Sequence, residues 1–442
     1  MKKLICLIWA LLLVSHFAKA QKKVRLSDEL YQKATKYFAE AKKLSDQDNG
    51  QLWGKQLYGP MLFIKFPERI LVANEPDKEG HLHPQGKLYV GALTNKIGIA
   101  NTAQEWNGKK WTTVIWFRFS SKTRTSLFMH ELFHRIQPNF GHKGSTNVHL
   151  DEKEARILLR LEWNALLMAY VKSQLQKSRR DAIRDAKSAL AYRAYRHLLY
   201  PGSYQNELAL QMNEGLAEYT GIKLSGMNED ETNQALDQSI TNSTKRRTFV
   251  RSFAYISGPL YGLLLDRYAA GWHKKLSKEK GLADMLAQAF QFELPKDKKA
   301  LQEIFQKWEY RYERKGIEQS EEVRYQKKLQ QEKVYQATLV DRPVLKINLT
   351  KQFRYSFDPN TLFPLKKQGV VYPTITIRDD WGILTVKKGG ALMSASKSQI
   401  TVPAKMRLNQ AGKKVETEDW VLELKQGWEI VQEGKNWVLK GK

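Results

Sequence analysis

The sequence predicts an α+β fold in which a mixed β-sheet is followed by a helical bundle and then by an all-β domain. Residues 60–119 contain short apolar runs broken by Pro, Gly and Asn, as strands do. Residues 120–335 show helical apolar spacing, and strand-like runs return after residues 341–343. The expected segments are a leader over 1–20, an N-terminal helix over 21–57, a large domain with a helical insertion over 58–335, and a sandwich-like β domain over 341–442.

The first 20 residues have the pattern of a secretory signal peptide. Lys2 and Lys3 precede the apolar run Leu4–Val14, and Ala18-Lys19-Ala20 forms a cleavage site. No later stretch is apolar over about 18 residues, so no transmembrane segment is predicted. Cys6 is the single cysteine and lies inside this leader, which leaves the mature chain without a disulfide. We therefore expect a secreted or periplasmic bacterial protein, cleaved after Ala20.

The chain is strongly basic, with 73 Lys and Arg against 46 Asp and Glu and a formal net charge of +27. Such a charge favours acidic partners, including acidic proteins and anionic envelope surfaces. No nucleic-acid-binding motif accompanies the lysines, which are scattered through helices and loops. The sequence thus predicts a basic surface with weak envelope adhesion, without specific nucleic-acid binding.

The N-terminal elements follow from local patterns. Ser27–Leu44 reads as an amphipathic helix with Ser27 as its N-cap, packed on the large domain. Trp106-Asn107-Gly108 marks a tight turn. The predicted strands are Met61–Phe66, Ile70–Asn74, Leu88–Leu93, Ile97–Thr102 and Trp111–Phe119.

The motif H-E-x-x-H, formed by His130, Glu131 and His134, lies just after the last of these strands. Two histidines four residues apart share one face of a helix and can bind one metal ion. Glu131 lies beside them, where it can take a proton from a water on the metal. Phe128, Leu132 and Ile136 repeat at helical spacing, and Pro138 ends the helix.

Long periodic segments follow the motif. The predicted helices are Asp151–Lys172, Asp181–Leu199, Tyr204–Thr220 (ended by Gly221), Asp230–Ile240, Thr248–Tyr268, Leu282–Phe290 and Lys298–Val334.

A catalytic zinc site commonly needs a third protein ligand. His142 and His149 lie in a nearby loop, and Glu154 opens a helix 20 positions after His134. A further candidate is Glu214, which is four residues from Glu218 on one predicted helix. In such a pair one carboxylate can bind the metal while the other orients a ligand histidine.

The segment Asn213-Glu-Gly-Leu-Ala-Glu-Tyr219 resembles the N-E-G-F-A-x-Y motif of gluzincin metallopeptidases, which include aminopeptidase N-like enzymes. The resemblance implies a zincin-like domain that hydrolyses peptide bonds, with Zn²⁺ held by His130, His134 and Glu214. It also implies that Glu218 orients a ligand histidine, as the aspartate of thermolysin-like enzymes does.

A second likeness involves Phe253-Ala-Tyr-Ile-Ser-Gly258, which is similar to the Y-x-K-G stretch of the aminopeptidase branch. It implies that Tyr255 stabilises the transition state, with Tyr261 as the alternative. About 80 positions separate His134 from Glu214, so a helical insertion is expected. The G-x-M-E-N motif of aminopeptidases is absent, which favours an endopeptidase. A strand, Trp111–Phe119 or Ile97–Thr102, is expected to pair with extended substrate.

The C-terminal domain is predicted from short strands separated by Gly, Pro and Asn. These are Val344–Leu349, Gly369–Ile377, Trp381–Val386, Trp420–Leu424, Trp428–Val431 and Trp437–Leu439. Their tryptophans can form either core or a carbohydrate platform. The alternative function is accordingly a catalytically relict zincin fold that binds an envelope glycan or protein through this domain.

Overall fold

The computed structural model describes residues 24–116, 120–138, 146–358, 361–404 and 414–441. The predicted signal peptide, Cys6 and His142 lie outside the described residues. In this described part of the chain the fold is α+β with three sheets, and the strands of two of these sheets lie toward the C-terminus, as predicted. No helix in the described ranges is long and apolar enough to span a bilayer.

The chain divides into two compact units. The first comprises the described residues of 24–149 together with Leu158–Thr244 and Val250–Tyr312. The second comprises Leu150–Ile157, Lys245–Phe249 and the described part of 313–442. The second unit therefore begins before the predicted β-domain limit at residue 341.

Helix α1 (Asp28–Asp48) begins as predicted, because the Ser27 hydroxyl accepts a hydrogen bond from the Leu30 amide. It runs four residues beyond the predicted end and stops at Asn49, whose φ of 47° is left-handed. Glu40 of α1 forms a two-oxygen ion pair with Arg124 at 2.9–3.0 Å. This ion pair fastens α1 to the segment that carries the H-E-x-x-H motif.

The first unit contains a six-stranded mixed sheet in the order β3-β4-β2-β1-β6-β5, with β1 and β6 parallel and the other pairs antiparallel. Its strands are β1 (Met61–Lys65), β2 (Ile70–Ala73), β3 (His83–Gln85), β4 (Leu88–Ala92), β5 (Thr102–Trp106) and β6 (Lys109–Ile115). Phe63 of β1 packs against Phe38 of α1, with ring centroids 4.5 Å apart. One face of the sheet is therefore covered by α1.

The strand predictions need two corrections at this sheet. Ile97–Thr102 is not a strand: Ile97 is buried beneath the sheet as part of a loop, and the strand begins at Thr102. Asn107 and Gly108, with φ of 45° and 75°, form the tight turn that joins β5 to β6. The edge strands of this sheet are β3 and β5. Trp111 is on β6, between β1 and β5, and is therefore not on an edge strand.

The helices after the sheet largely follow the predicted periodicity. They are α2 (Ser121–Ile136), α3 (Lys153–Ser173), α4 (Arg179–Leu199), α5 (Ser203–Leu210), α6 (Leu216–Leu224), α7 (Glu229–Ser243), α8 (Ala254–Tyr268), α9 (Leu282–Ala289), α10 (Lys298–Gln306) and α11 (Arg314–Gln336). Two predicted helices are interrupted: the segment from 298 to 334 breaks between α10 and α11, and Tyr204–Thr220 is interrupted between α5 and α6. Helix α8 is continuous but begins six residues later than predicted.

The second unit contains a seven-stranded sheet, ordered β17-β18-β7-β14-β13-β10-β9, and a five-stranded sheet, ordered β15-β16-β12-β11-β8. The strands are β7 (Val344–Asn348), β8 (Arg354–Phe357), β9 (Phe363–Leu365), β10 (Gly369–Tyr372), β11 (Ile375–Asp379), β12 (Gly382–Val386), β13 (Ala391–Met393), β14 (Gln399–Pro403), β15 (Lys414–Glu416), β16 (Trp420–Leu424), β17 (Trp428–Glu433) and β18 (Asn436–Gly441).

Side chains from both C-terminal sheets form one hydrophobic core. Ile347 of β7 and Leu384 of β12 are both fully buried in it. Trp381 and Trp420 are 1% exposed and belong to this core, while Trp428 and Trp437 pack against it partly buried. The first two tryptophans are therefore core residues and not a surface platform.

Candidate metal centre

The H-E-x-x-H motif lies on helix α2, inside the first unit. The Ser120 hydroxyl accepts a hydrogen bond from the Thr123 amide and caps the helix, which ends at Ile136, two residues before Pro138. Phe128, Met129, Leu132 and Phe133 are buried, as the apolar spacing predicts. Burial of this apolar face holds His130 and Glu131 inside the protein, each only 4% exposed.

The side chains of His130, His134 and Glu214 converge. The two Nε2 atoms are 3.1 Å apart, and Glu214 Oε2 lies 3.8 Å from His130 Nε2 and 3.6 Å from His134 Nε2. Ligands bonded to a tetrahedral zinc at about 2.0–2.2 Å are separated by roughly 3.3–3.6 Å. These three atoms therefore fit a single metal ion, and among the described residues they form the group with metal-site geometry.

Glu214 lies on a π-turn, Gln211–Gly215, between α5 and α6. The sequence predicts one uninterrupted helix here, but the π-turn inserts an extra residue into the helical ladder. The predicted end at Gly221 is also wrong, since α6 continues to Leu224 and Gly226, with φ of 76°, follows its end. π-Turns of this kind often occur at functional sites.

Glycines let three helical segments approach one another at the site. A Cβ on Gly221 of α6 would lie 2.7 Å from the Ser126 carbonyl oxygen and 3.2 Å from His130 Cβ. A Cβ on Gly258 of α8 would overlap the backbone of Gly215. Gly221 is therefore a packing residue between α6 and α2, which explains why it does not end the helix.

Both imidazoles are held by hydrogen bonds from their Nδ1 atoms. His130 Nδ1 donates to Glu218 Oε2 at 2.7 Å, and His134 Nδ1 donates to Gln137 Oε1 at 2.8 Å. Burial opposes protonation of His130, but the carboxylate of Glu218 raises its pKa. Partners of this kind fix the ring orientation and leave Nε2 for a metal.

Gln137 is a site residue that the sequence analysis does not identify. Its amide nitrogen donates to the carbonyl oxygens of Met212 at 3.0 Å and Asn213 at 2.9 Å, both in the π-turn. It therefore links the second histidine to the segment that carries Glu214. The sequence feature that could have identified Gln137 is its position three residues after His134, which places both on the same side of the helix end.

The carboxylate of Glu131 is the candidate general base. Its Oε1 lies 4.0 Å from His130 Nε2, and its Oε2 is buried without a hydrogen-bond partner among the described residues. Burial raises the pKa of Glu131 to about 7. A buried oxygen without a partner next to the convergent imidazoles fits a site that is completed by a metal and its water.

Tyr255 and Arg251 contact the two oxygens of Glu214. The Tyr255 hydroxyl donates to Oε2 at 2.5 Å, and its ring stacks on His130 with centroids 5.8 Å apart. Arg251 Nη2 donates to Oε1 at 3.2 Å. Burial opposes ionisation of Glu214, yet the neighbouring His134 and the hydrogen bond from Tyr255 hold its pKa at about 2. Burial and the neighbouring carboxylate raise the pKa of Tyr255.

A buried ion-pair cluster adjoins the π-turn. Arg193 of α4 donates to Glu162 of α3 at 3.2 Å and to the Gln211 side chain at 3.1 Å. Arg196 bonds both Glu162, at 2.6 Å, and Glu207 of α5, at 2.8 and 3.0 Å. The helices of the insertion between His134 and the π-turn are thus tied to the segment that carries Glu214.

The alternative candidates for the oxyanion donor and the third metal ligand are not part of this convergent group. The Tyr261 hydroxyl donates to Glu162 at 2.9 Å, inside the buried cluster, and His149 Nε2 lies 2.9 Å from Glu207. Glu154 is in the first turn of α3 and is not in the convergent group of described residues. His142 falls outside the described residues. The structure therefore brings together His130, His134, Glu214, Glu131, Glu218 and Tyr255.

No family model, curated protein or solved structure matches this chain.

Proposed function

We propose that this protein is a secreted, zinc-dependent metallopeptidase of the gluzincin type, with a zincin-like domain. The observation that carries the proposal is the convergence of His130 Nε2, His134 Nε2 and Glu214 Oε2 within 3.1–3.8 Å. Two imidazoles and one carboxylate, with a buried glutamate beside them, form the ligand set that catalytic zinc prefers. When bound, zinc lowers the pKa of a coordinated water and polarises the scissile carbonyl.

Glu131 acts as the general base in this proposal. Its carboxylate accepts a proton from the attacking water and then delivers that proton to the leaving amine. Its buried position and raised pKa suit a group that must both accept and release a proton near neutral pH. Glu218 keeps the His130 ring in place during these steps through the 2.7 Å hydrogen bond.

Tyr255 supplies the oxyanion donor. Its hydroxyl already lies beside the Glu214 oxygen that faces both imidazoles, and its raised pKa keeps the donor proton on the hydroxyl. A hydrogen bond to charge that develops in the transition state is a major source of rate enhancement. The proposed substrate is an extended peptide that pairs with the free edge of β5.

Metal analysis combined with two substitutions tests the proposal. Purified protein is expected to bind about one zinc per chain, and Glu131→Gln is expected to keep zinc while losing about 10²–10⁴-fold in peptide cleavage. Glu214→Gln is expected to lose the metal, whereas the matched Glu154→Gln keeps it. An active Glu131→Gln variant rejects the mechanism. An intact zinc-loaded protein that cleaves no peptide supports the relict binding protein instead.

A further inference from the structure

An exposed arginine contacts the candidate metal centre. The Arg251 side chain is 66% exposed, whereas that of Glu214, its partner at 3.2 Å, is 11% exposed. Arg251 lies four residues before Tyr255, whose hydroxyl reaches the other oxygen of the same carboxylate. Within the described ranges, it is the arginine that hydrogen-bonds to this cluster.

Arg251 has N–H donors that are not bonded to Glu214 and that can bind a second acceptor. A guanidinium carries five N–H donors in a planar fork, and Glu214 Oε1 occupies one of them. The other oxygen of Glu214 faces the imidazoles, where a cation would compensate its charge. The exposed remainder of Arg251 can then form a paired hydrogen bond with an incoming carboxylate.

Distances limit where that carboxylate lies in a peptide. The guanidinium and the imidazole Nε2 atoms are each within 3.2–3.8 Å of the one carboxyl group of Glu214. One extended residue spans about 3.3–3.6 Å. Arg251 contacts Oε1 and the imidazoles face Oε2, so the guanidinium Nη2 lies at most about 9 Å from either Nε2 atom. A group bound by Arg251 is therefore within about three residues of a peptide bond placed at the imidazoles.

We infer that Arg251 is a specificity residue that binds a substrate carboxylate within about three residues of the scissile bond. This inference rests on the proposed function and narrows its substrate class to acidic peptides. The carboxylate is either an Asp or Glu side chain or the C-terminal carboxylate of the peptide. The excess of Lys and Arg over Asp and Glu adds long-range attraction for such substrates.

Equilibrium binding to an inactive protein tests this inference separately from catalysis. Zinc-loaded Glu131→Gln protein is titrated into three fluorescein-labelled octapeptides of otherwise neutral residues, and binding is followed by anisotropy. One probe has an amidated C-terminus, one has a free C-terminal carboxylate, and one is amidated with two central glutamates. We expect one or both acidic probes to bind about tenfold tighter than the neutral probe, and the tighter probe identifies the source of the carboxylate.

The same titrations on a second variant assign the preference to Arg251. In the Glu131→Gln/Arg251→Gln protein the preference is expected to fall below about twofold, with zinc content unchanged. The control is Arg180→Gln in the same background. Arg180 is exposed and lies about 20 Å along α4 from Arg193, so its loss removes the same charge at a distance from the site.

The proposal is overturned if the parent protein shows no preference or if the preference survives Arg251→Gln. Loss of zinc from the Arg251→Gln protein without any acid preference in the parent also overturns it, because Arg251 is then only a counter-ion of Glu214. Failure of the proposed function gives a different result: protein with Glu131 intact cleaves none of the probes, whatever their binding order.

Discussion

Gln137 fixes the protonation pattern of His134. Its amide nitrogen donates to two backbone carbonyl oxygens of the π-turn, so its Oε1 must be the atom that faces His134 Nδ1 at 2.8 Å. An acceptor at that position requires a proton on Nδ1, which leaves the lone pair of Nε2 available to bind a metal ion. One glutamine side chain thus orients His134, a proposed ligand, and is bonded to the segment that carries Glu214, another proposed ligand.

Removal of this glutamine is expected to weaken metal binding. Gln137→Ala loses the hydrogen bond to His134 and the two bonds to the π-turn, so the zinc dissociation constant should rise about 10–100-fold. Competition with a chromophoric chelator measures this constant. Gln326→Ala, at an exposed glutamine of α11, is the control and should leave it unchanged. Equal affinities for both variants would show that Gln137 does not support the site.

Glu218 is expected to act through its charge as well as its shape. Glu218→Gln keeps an oxygen that can accept from His130 Nδ1 but removes the negative charge that raises the pKa of His130. The imidazole becomes a weaker electron donor, and zinc affinity should fall about tenfold. Glu218→Ala should lose more affinity than Glu218→Gln. The reverse order would mean that the hydrogen bond at 2.7 Å contributes nothing to binding.

Gly258 allows α8 to contact the π-turn. A methyl group at this position meets the backbone of Gly215 and forces the two segments apart, so Gly258→Ala should lower the free energy of unfolding by about 2 kcal/mol. It should also lower activity, because Tyr255 moves away from Glu214. Chemical unfolding and peptide cleavage measure the two effects.

The matched control for this substitution is Gly316→Ala in α11. No atom lies within 4 Å of a Cβ at Gly316, so alanine should raise the free energy of unfolding by roughly 0.5–1 kcal/mol through reduced freedom of the unfolded chain. A Gly258→Ala protein as stable as the Gly316→Ala protein would contradict the close approach of α8 and the π-turn.

Asp266 is expected to make stability depend on pH in the acid range. Although burial opposes ionisation, the neighbouring His273, the ion pair with Lys223 and the hydrogen bond from Trp272 hold its pKa at about 2. An unfolded aspartate has a pKa of about 3.9, so the stabilisation is complete above this value and is lost as the pH falls toward 2. Asp266→Asn should therefore destabilise the protein by about 2 kcal/mol at pH 6.

Urea unfolding of wild type and Asp266→Asn between pH 6 and pH 2 measures this linkage. The difference between the two free energies of unfolding should shrink as the pH falls. Asp237→Asn, at an exposed position in the middle of α7, should show a small difference at every pH. A constant difference for Asp266→Asn would mean that its charge has no part in stability.

Local patterns predict most of the helices and the face that α2 buries. Apolar residues at helical spacing, with Pro138 after them, predict α2 without any information from the rest of the chain. Caps and periodicity likewise predict α1. These features depend on neighbours within one or two helical turns, which the sequence displays directly.

Other features depend on contacts between distant segments. The π-turn at Gln211–Gly215 has no sequence pattern that separates it from an ordinary helix. Glycine commonly follows the end of a helix, which is why the sequence predicts a helix end at Gly221. Its role is instead set by the close approach of Ser126 and His130. Gln137 is one of many glutamines until the carbonyl oxygens of the π-turn are placed beside it. The free edge of β5 likewise depends on the order of the strands, which their periodicity does not specify.

The buried cluster of Glu162, Arg193, Arg196 and Glu207 has a consequence for the stability of the protein when the proposed metal ion is absent. Because internal pairs already join α3, α4 and α5 to the π-turn, the coordinating atoms are preorganised by folding itself. For the proposed zinc site we therefore expect a chelator to leave a folded apoprotein, whereas a zinc finger unfolds when its metal is withdrawn.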